Sequence, residues 1–143
     1  MQSIHILLIE DNEGDVLLTK ELLEDYRIRN TLSVTHDGYE TIEFLNQCLK
    51  VKNILLPDLI LLDINLPRIN GMEVLTYLKG NEHLKHIPVF MLSTSATEID
   101  MQGANDRQAS GFLTKPLTFD SFTLAIINHT NFYFQLLKNK HGV

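Results

Sequence analysis

Three carboxylates, a hydroxyl and an ammonium stand directly after short apolar runs in this chain. Ile4-His5-Ile6-Leu7-Leu8-Ile9 stops at Glu10-Asp11, and Leu59-Ile60-Leu61-Leu62 stops at Asp63. Val89-Phe90-Met91-Leu92 is followed by Ser93, and Phe112-Leu113-Thr114 by Lys115. Together these groups suit phosphoryl transfer to a carboxylate. A hard divalent cation such as Mg²⁺ takes oxygen ligands, keeping several waters beside one or two carboxylates. The transition state spreads charge over phosphoryl oxygens, which a metal, an ammonium and a hydroxyl donor can neutralise. On this reading Asp63 is the nucleophile, Asp11 a direct metal ligand and Glu10 a ligand through metal-bound water. Lys115 and Ser93 grip the phosphoryl oxygens.

The elements that must bring these groups together are readable from the same runs. Unbroken branched apolar segments indicate strands buried on both faces, as in a parallel sheet covered by helices. Five are expected, at Ile4–Ile9, Leu32–Thr35, Leu59–Leu62, Val89–Leu92 and Gly111–Thr114. Between them run helical spacings: Val16, Leu23 and Tyr26; Ile42, Leu45 and Leu49; Val74, Leu75 and Leu78. Asp37 with Glu40, Asn70 with Glu73, and Ser95 with Glu98 are spaced as helix N-caps with an acid at N3, and Thr118 is placed to cap the last helix. Alternating strands and helices predict right-handed βαβ units, hence an α/β, doubly wound, five-stranded parallel sheet in the order 2-1-3-4-5 with helices on both faces. Such sheets bind ligands at the carboxyl ends of their strands. All five groups lie on that edge. Unit charges about 4 Å apart repel by roughly 4 kcal/mol at an effective dielectric near 20, so a cation or a reaction must use the acids gathered there. The stretch from Lys50 to Leu56, before Pro57, is longer than a tight turn and is either extra helix or a loop.

Composition narrows the class. The 143 residues suffice for one domain with a proper core and not for two. A net charge of −6 argues against a general nucleic-acid or anionic-membrane surface. The single cysteine, Cys48, cannot form an internal disulfide, which points to the reducing cytoplasm. No apolar run is long enough to span a membrane. Asn12, Glu13 and Asp15 read as the start of the first helix, Cys48 as core packing beside Phe44, and His83/His86 as a solvated pair. Arg68 reads as shaping a loop or a partner surface.

The order and spacing resemble the receiver domain of two-component response regulators across residues 3–130. The match comprises the acidic pair Glu10-Asp11, the phosphoacceptor Asp63, Ser93 30 positions later, and Lys115-Pro116 another 22 on. The resemblance implies that Asn65 supplies a backbone carbonyl to Mg²⁺, joining Asp11 and Asp63. It also implies that Ser93 and the aromatic Phe112 form a switch. Three departures stand out. Gln108-Ala109 replaces a customary Gly-Ala, so another residue must make that turn or Gln108 must adopt a left-handed conformation. Phe112 replaces the commoner tyrosine, and Thr94 replaces a smaller residue.

The resemblance implies a phosphoacceptor signalling protein rather than an enzyme with a separate substrate. The finer likeness is to small stand-alone regulators paired with bacterial phytochromes, carried by Asp-Ile-Asn-Leu-Pro-Arg, Ser93-Thr94-Ser95, the long segment before Pro57 and Phe132-Tyr133-Phe134. Expected partners are a sensor histidine kinase and a downstream protein target or phosphotransfer protein. A single domain over 1–143 is expected, with a core at 3–130 and a helical extension at 131–143. In the last helix Phe119, Phe122, Ile126 and Tyr133 form a stripe for the sheet. Leu124, Ile127, Phe132, Phe134 and Leu137 lie off it, suggesting a homodimer through this helix anchored by Phe132 and Phe134. A haloacid-dehalogenase-type phosphatase is the alternative, but it needs a second acid where Asn65 stands and carries its acidic pair last. A flavodoxin-like FMN site would need a phosphate loop where Glu10-Asp11-Asn12-Glu13 would repel phosphate.

Overall fold

Every residue of the two central strands is buried, and the reason is that helices cover the sheet on both sides. The computed structural model describes residues 3–51 and 54–129, with side chains through residue 125. In chain order the elements are β1 (Ile4–Ile9), α1 (Glu13–Asp25), β2 (Asn30–Thr35), α2 (Gly38–Lys50), β3 (Leu59–Asp63), α3 (Gly71–Gly80), β4 (Val89–Ser93), α4 (Glu98–Asp106), β5 (Gly111–Thr114) and α5 (Phe119–His129). The strands are all parallel, in the order β2-β1-β3-β4-β5. This is the expected doubly wound architecture.

The two-residue period of the strands divides the core. Ile4, Ile6, Leu8, Leu59, Leu61, Phe90 and Leu92 pack with Val16, Leu23, Phe119, Phe122 and Ala125, from α1 and α5. Leu7, Ile9, Ile60, Leu62, Val89 and Met91 pack with Leu45, Val74, Leu75, Leu78 and Ala104, from α2, α3 and α4. The same parity aims the site. Glu10 continues the alternation of Ile6 and Leu8, and Asp63 that of Leu59 and Leu61, so both acids lie toward α1. Ser93 continues Val89 and Met91 and lies toward α4.

Local signals are mostly followed. Asp37 accepts from Glu40 N and Asn70 from Glu73 N, capping α2 and α3, while Asn12 caps α1 through Asp15 N. Thr118 Oγ1 accepts from Ser121 N at the start of α5. The cap of α4 differs from expectation. It is Thr97, accepting from Asp100 N, while Ser95 closes a turn with Ser93. The β2 strand begins two residues earlier than its apolar run, at Asn30. The buried stripe of α2 is Gly38, Thr41, Leu45 and Cys48, one residue off Ile42 and Leu49. Tyr26 is half exposed yet stacks on Phe119 with ring centroids 4.1 Å apart. Of the segment before Pro57, Lys50 closes α2 and the rest is loop where described. Gln108 does take the left-handed conformation, at φ 64°. The anchors Phe132 and Phe134 fall outside the described residues.

Candidate functional site

At the carboxyl edge of the sheet, Glu10, Asp11 and Asp63 each place a carboxylate oxygen within 4.8 Å of the others. Glu10 and Asp63 are buried, whereas Asp11 faces solvent. Lys115, carried in from the end of β5 ahead of a cis peptide to Pro116, offsets part of the cluster's charge. Its Nζ lies 3.3 Å from Asp63, 3.1 Å from Glu10 and 2.9 Å from Asp15. Asp63 Oδ1 also accepts the N–H of Asn65 at 3.1 Å, and Glu10 Oε1 accepts that of Asn12 at 3.2 Å.

Electrostatics follow from this crowding. Burial and the nearby charge of Asp63 push the Glu10 carboxyl up from 4.5 to about 7, against the opposing pull of Lys115. Burial works against the charge of Lys115. Its hydrogen bonds to Asp15 and Glu10, with the fields of Asp63 and Glu10, outweigh that and hold the ammonium above its ordinary range. An all-oxygen donor set with surplus negative charge, open to solvent at Asp11, has the chemistry a hard divalent cation requires.

Ser93 is at the edge but engaged elsewhere. Its Oγ donates to Ser95 O at 2.7 Å and accepts from Ser95 N at 3.2 Å, closing a small turn at the start of the β4–α4 loop. Phe112 is half buried against the core beneath α4. A groove of about 510 Å³ opens between α4 and β5, with Phe112 in its lining. The residue that sequence reasoning missed is Asp15. It stands on the first turn of α1 and makes the shortest contact to Lys115. Arg68, at φ 65°, hydrogen-bonds Asp37 Oδ2 at 3.1 Å and lies over the Tyr39 ring, tying the β3–α3 loop to the start of α2.

A family model described as the response regulator receiver domain matches residues 6–127 of this chain. The chain belongs to that family. Response regulator Rcp1 of Synechocystis sp. is 41% identical over 110 residues, covering 77% of this chain and 75% of Rcp1. Among solved structures, the bacteriophytochrome response regulator AtBRR is 37% identical with a TM-score of 0.80, covering 90% of this chain and 94% of AtBRR. The phosphorylated cyanobacterial phytochrome response regulator RcpA is 34% identical with a TM-score of 0.75, covering 93% of this chain and 95% of RcpA. A further structure holds Rcp1 in its Mn²⁺-bound form. This receiver domain is therefore a two-component signalling protein whose relatives are small phytochrome-associated regulators. The phosphatase alternative has no support. Receiver domains bind a divalent metal and interact with histidine kinases and phosphotransfer proteins. Among the described residues no helix is long and apolar enough to cross a membrane.

Proposed function

We propose that this receiver domain takes a phosphoryl group from a phosphohistidine of a sensor kinase onto Asp63, with Mg²⁺ bound, and signals through protein contacts. The observation that carries this reading is the meeting of Glu10, Asp11 and Asp63 oxygens within 4.8 Å, with Lys115 Nζ 3.3 Å from Asp63. A carboxylate oxygen of Asp63 forms the new bond to phosphorus as the phosphorus–nitrogen bond breaks. Asp11 and Asp63 would hold the metal directly, Asn65 through its carbonyl and Glu10 through water. When bound, the ion offsets charge on the phosphoryl oxygens. Lys115 exchanges an Asp63 oxygen for a phosphoryl oxygen, a move its existing contact makes short. Ser93 releases the Ser95 backbone and donates to the phosphoryl group. That release frees the β4–α4 loop, and Phe112 turns inward beneath it. Only ring burial drives this last move, because Phe112 has no hydroxyl to bond.

The likeness to phytochrome-associated regulators supports a phytochrome-type kinase as the donor. A downstream target or phosphotransfer protein receives the signal, in the cytoplasm. We place the whole of 1–143 in one domain, with a core at 3–130 and a helical extension at 131–143. A homodimer through the last helix, anchored by Phe132 and Phe134, completes the reading. Incubation with Mg²⁺ and a small phosphodonor should give one acid-stable, alkali-labile phosphoryl group per chain. Asp63→Asn should lose it, and equal labelling of that variant would overturn the assignment. Asp11→Asn should weaken Mg²⁺ binding. Sedimentation of the phosphorylated and unphosphorylated protein with and without Phe134→Ser tests the dimer, which a monomer throughout would exclude.

A further inference from the structure

The sheet has two edges, and β2 forms one of them. Natural edge strands are guarded by charged residues, proline or bulges, because a row of unpaired backbone groups invites another strand. The β2 strand, Asn30-Thr31-Leu32-Ser33-Val34-Thr35, has no charge and no proline. Ile4 N bonds Arg29 O and Glu10 N bonds Thr35 O, which sets the alternation of the parallel ladder. The odd-numbered residues bond inward to β1. The N–H and C=O groups of Asn30, Leu32 and Val34 therefore point away from it.

Both faces of this edge are open. On one, Asn30 and Leu32 border a groove of about 180 Å³ with Lys20, Leu23 and Glu24 of α1. On the other, Thr31 and Ser33 border a groove of about 570 Å³ lined by Phe44, Ile54, Leu55 and Leu56. Leu55 is 74% exposed, an unusual position for a large apolar side chain on a groove wall shared with three other apolar ones. A strand laid along β2 would send alternate side chains over the two grooves.

Charge selects the occupant. Arg27 and Arg29 precede β2, while Asp37, which also holds Arg68, and Glu40, which also holds His36, follow it. A strand of the same sequence running antiparallel, with Leu32 opposite Leu32 of the other copy, brings each basic end to the partner's acidic end. A parallel self-pair would oppose like charges instead. We infer that the outer edge of β2 pairs antiparallel with β2 of a second copy about a two-fold axis at Leu32, joining two five-stranded sheets into one. This surface is separate from the last helix and does not depend on the phosphoryl chemistry.

The register makes the proposal testable by cross-linking. Directly opposed Leu32 residues in a hydrogen-bonded pair have Cα atoms about 5.5 Å apart. That lies inside the range a disulfide spans. Val34 opposes Asn30 of the partner, so two Val34 residues sit four positions apart along the strand, about 13 Å. Under mild oxidation Leu32→Cys should give a covalent dimer on a non-reducing gel. Val34→Cys should not, and wild type, whose Cys48 is buried, should not. The double variant Asn30→Cys, Val34→Cys should restore the cross-link, and it decides the matter if Leu32→Cys fails to fold. Phe134→Ser should leave the cross-link unchanged. Folded Leu32→Cys that stays monomeric, or Val34→Cys that links as fast, would overturn the pairing.

Discussion

Replacing Glu10 by glutamine should remove a pH dependence that the metal-free protein carries. In the folded state burial and Asp63 raise the Glu10 carboxyl from 4.5 to about 7, so between these values the native protein holds a proton that the unfolded chain has released. Stability then falls as pH rises, since the slope follows the unfolded minus the native proton count. At high pH the full penalty is about 3 kcal/mol, and most of it develops between pH 5 and pH 8. Lys115 does not confuse the measurement. Its folded value is raised, so its stabilising contribution is fully present below its unfolded value and constant across this window. Urea unfolding without divalent metal, at several pH values for wild type and Glu10→Gln, isolates the effect. Titrating groups that do not interact with Glu10 are common to both proteins and cancel in the difference. The gap between the two stability curves should change by roughly 2–3 kcal/mol in favour of Glu10→Gln from pH 5 to pH 8. Parallel curves would show that Glu10 ionises normally and that the cluster is not as crowded as its geometry requires.

Lys115→Ala should cost about 3–5 kcal/mol in metal-free protein at neutral pH, because it strands buried carboxylates, and divalent metal should recover part of the loss in thermal melts. The same variant should still accept phosphate on Asp63 but fail to alter partner binding, read by a pull-down of the cognate target. Gly71→Ala should destabilise by at least about 1–3 kcal/mol and slow labelling of Asp63. A Cβ there would lie 2.2 Å from the Asp63 carbonyl oxygen and 2.7 Å from Ile64 Cα, so backbone beside the phosphoacceptor must shift; urea melts and phosphodonor kinetics measure both effects. Gln108→Gly should stabilise by up to about 1 kcal/mol, since φ 64° strains a side chain that makes no use of it, and chemical denaturation would reveal it.

Strand positions and the convergence of the site were legible because a branched apolar run that stops at a polar group fits little besides a buried strand reaching the edge of its sheet. What the sequence concealed is physical in each case. Thr41 lies at the centre of the α2 stripe because its hydroxyl bonds both Thr35 Oγ1 at 2.7 Å and Asp37 O at 2.8 Å, and a hydropathy pattern cannot see a satisfied polar core residue. Ser95 and Thr97 both carry an acid three residues on, and spacing cannot choose between them; Thr97 takes the cap while Ser95 closes a turn with Ser93. Asp15 looked like an ordinary helix-start acid, which it is by position. Its contact with Lys115 joins residues 100 positions apart, a relation no local spacing encodes. The left-handed turn at Gln108 was readable only because a known pattern lacks its glycine there.

The three-way hold on Lys115 also bears on which ions the pocket admits. A sodium or potassium ion entering beside Asp11 would bring a single charge to carboxylates that an internal ammonium already serves, and would gain little by sharing them. An ion of charge two offers each shared oxygen about twice the attraction at equal distance. Because Lys115 is tethered by Asp15 and Glu10 as well as Asp63, it can yield one oxygen without leaving the pocket. The resident ammonium would then set a threshold: monovalent ions gain little there, and a divalent ion gains more from each oxygen it shares.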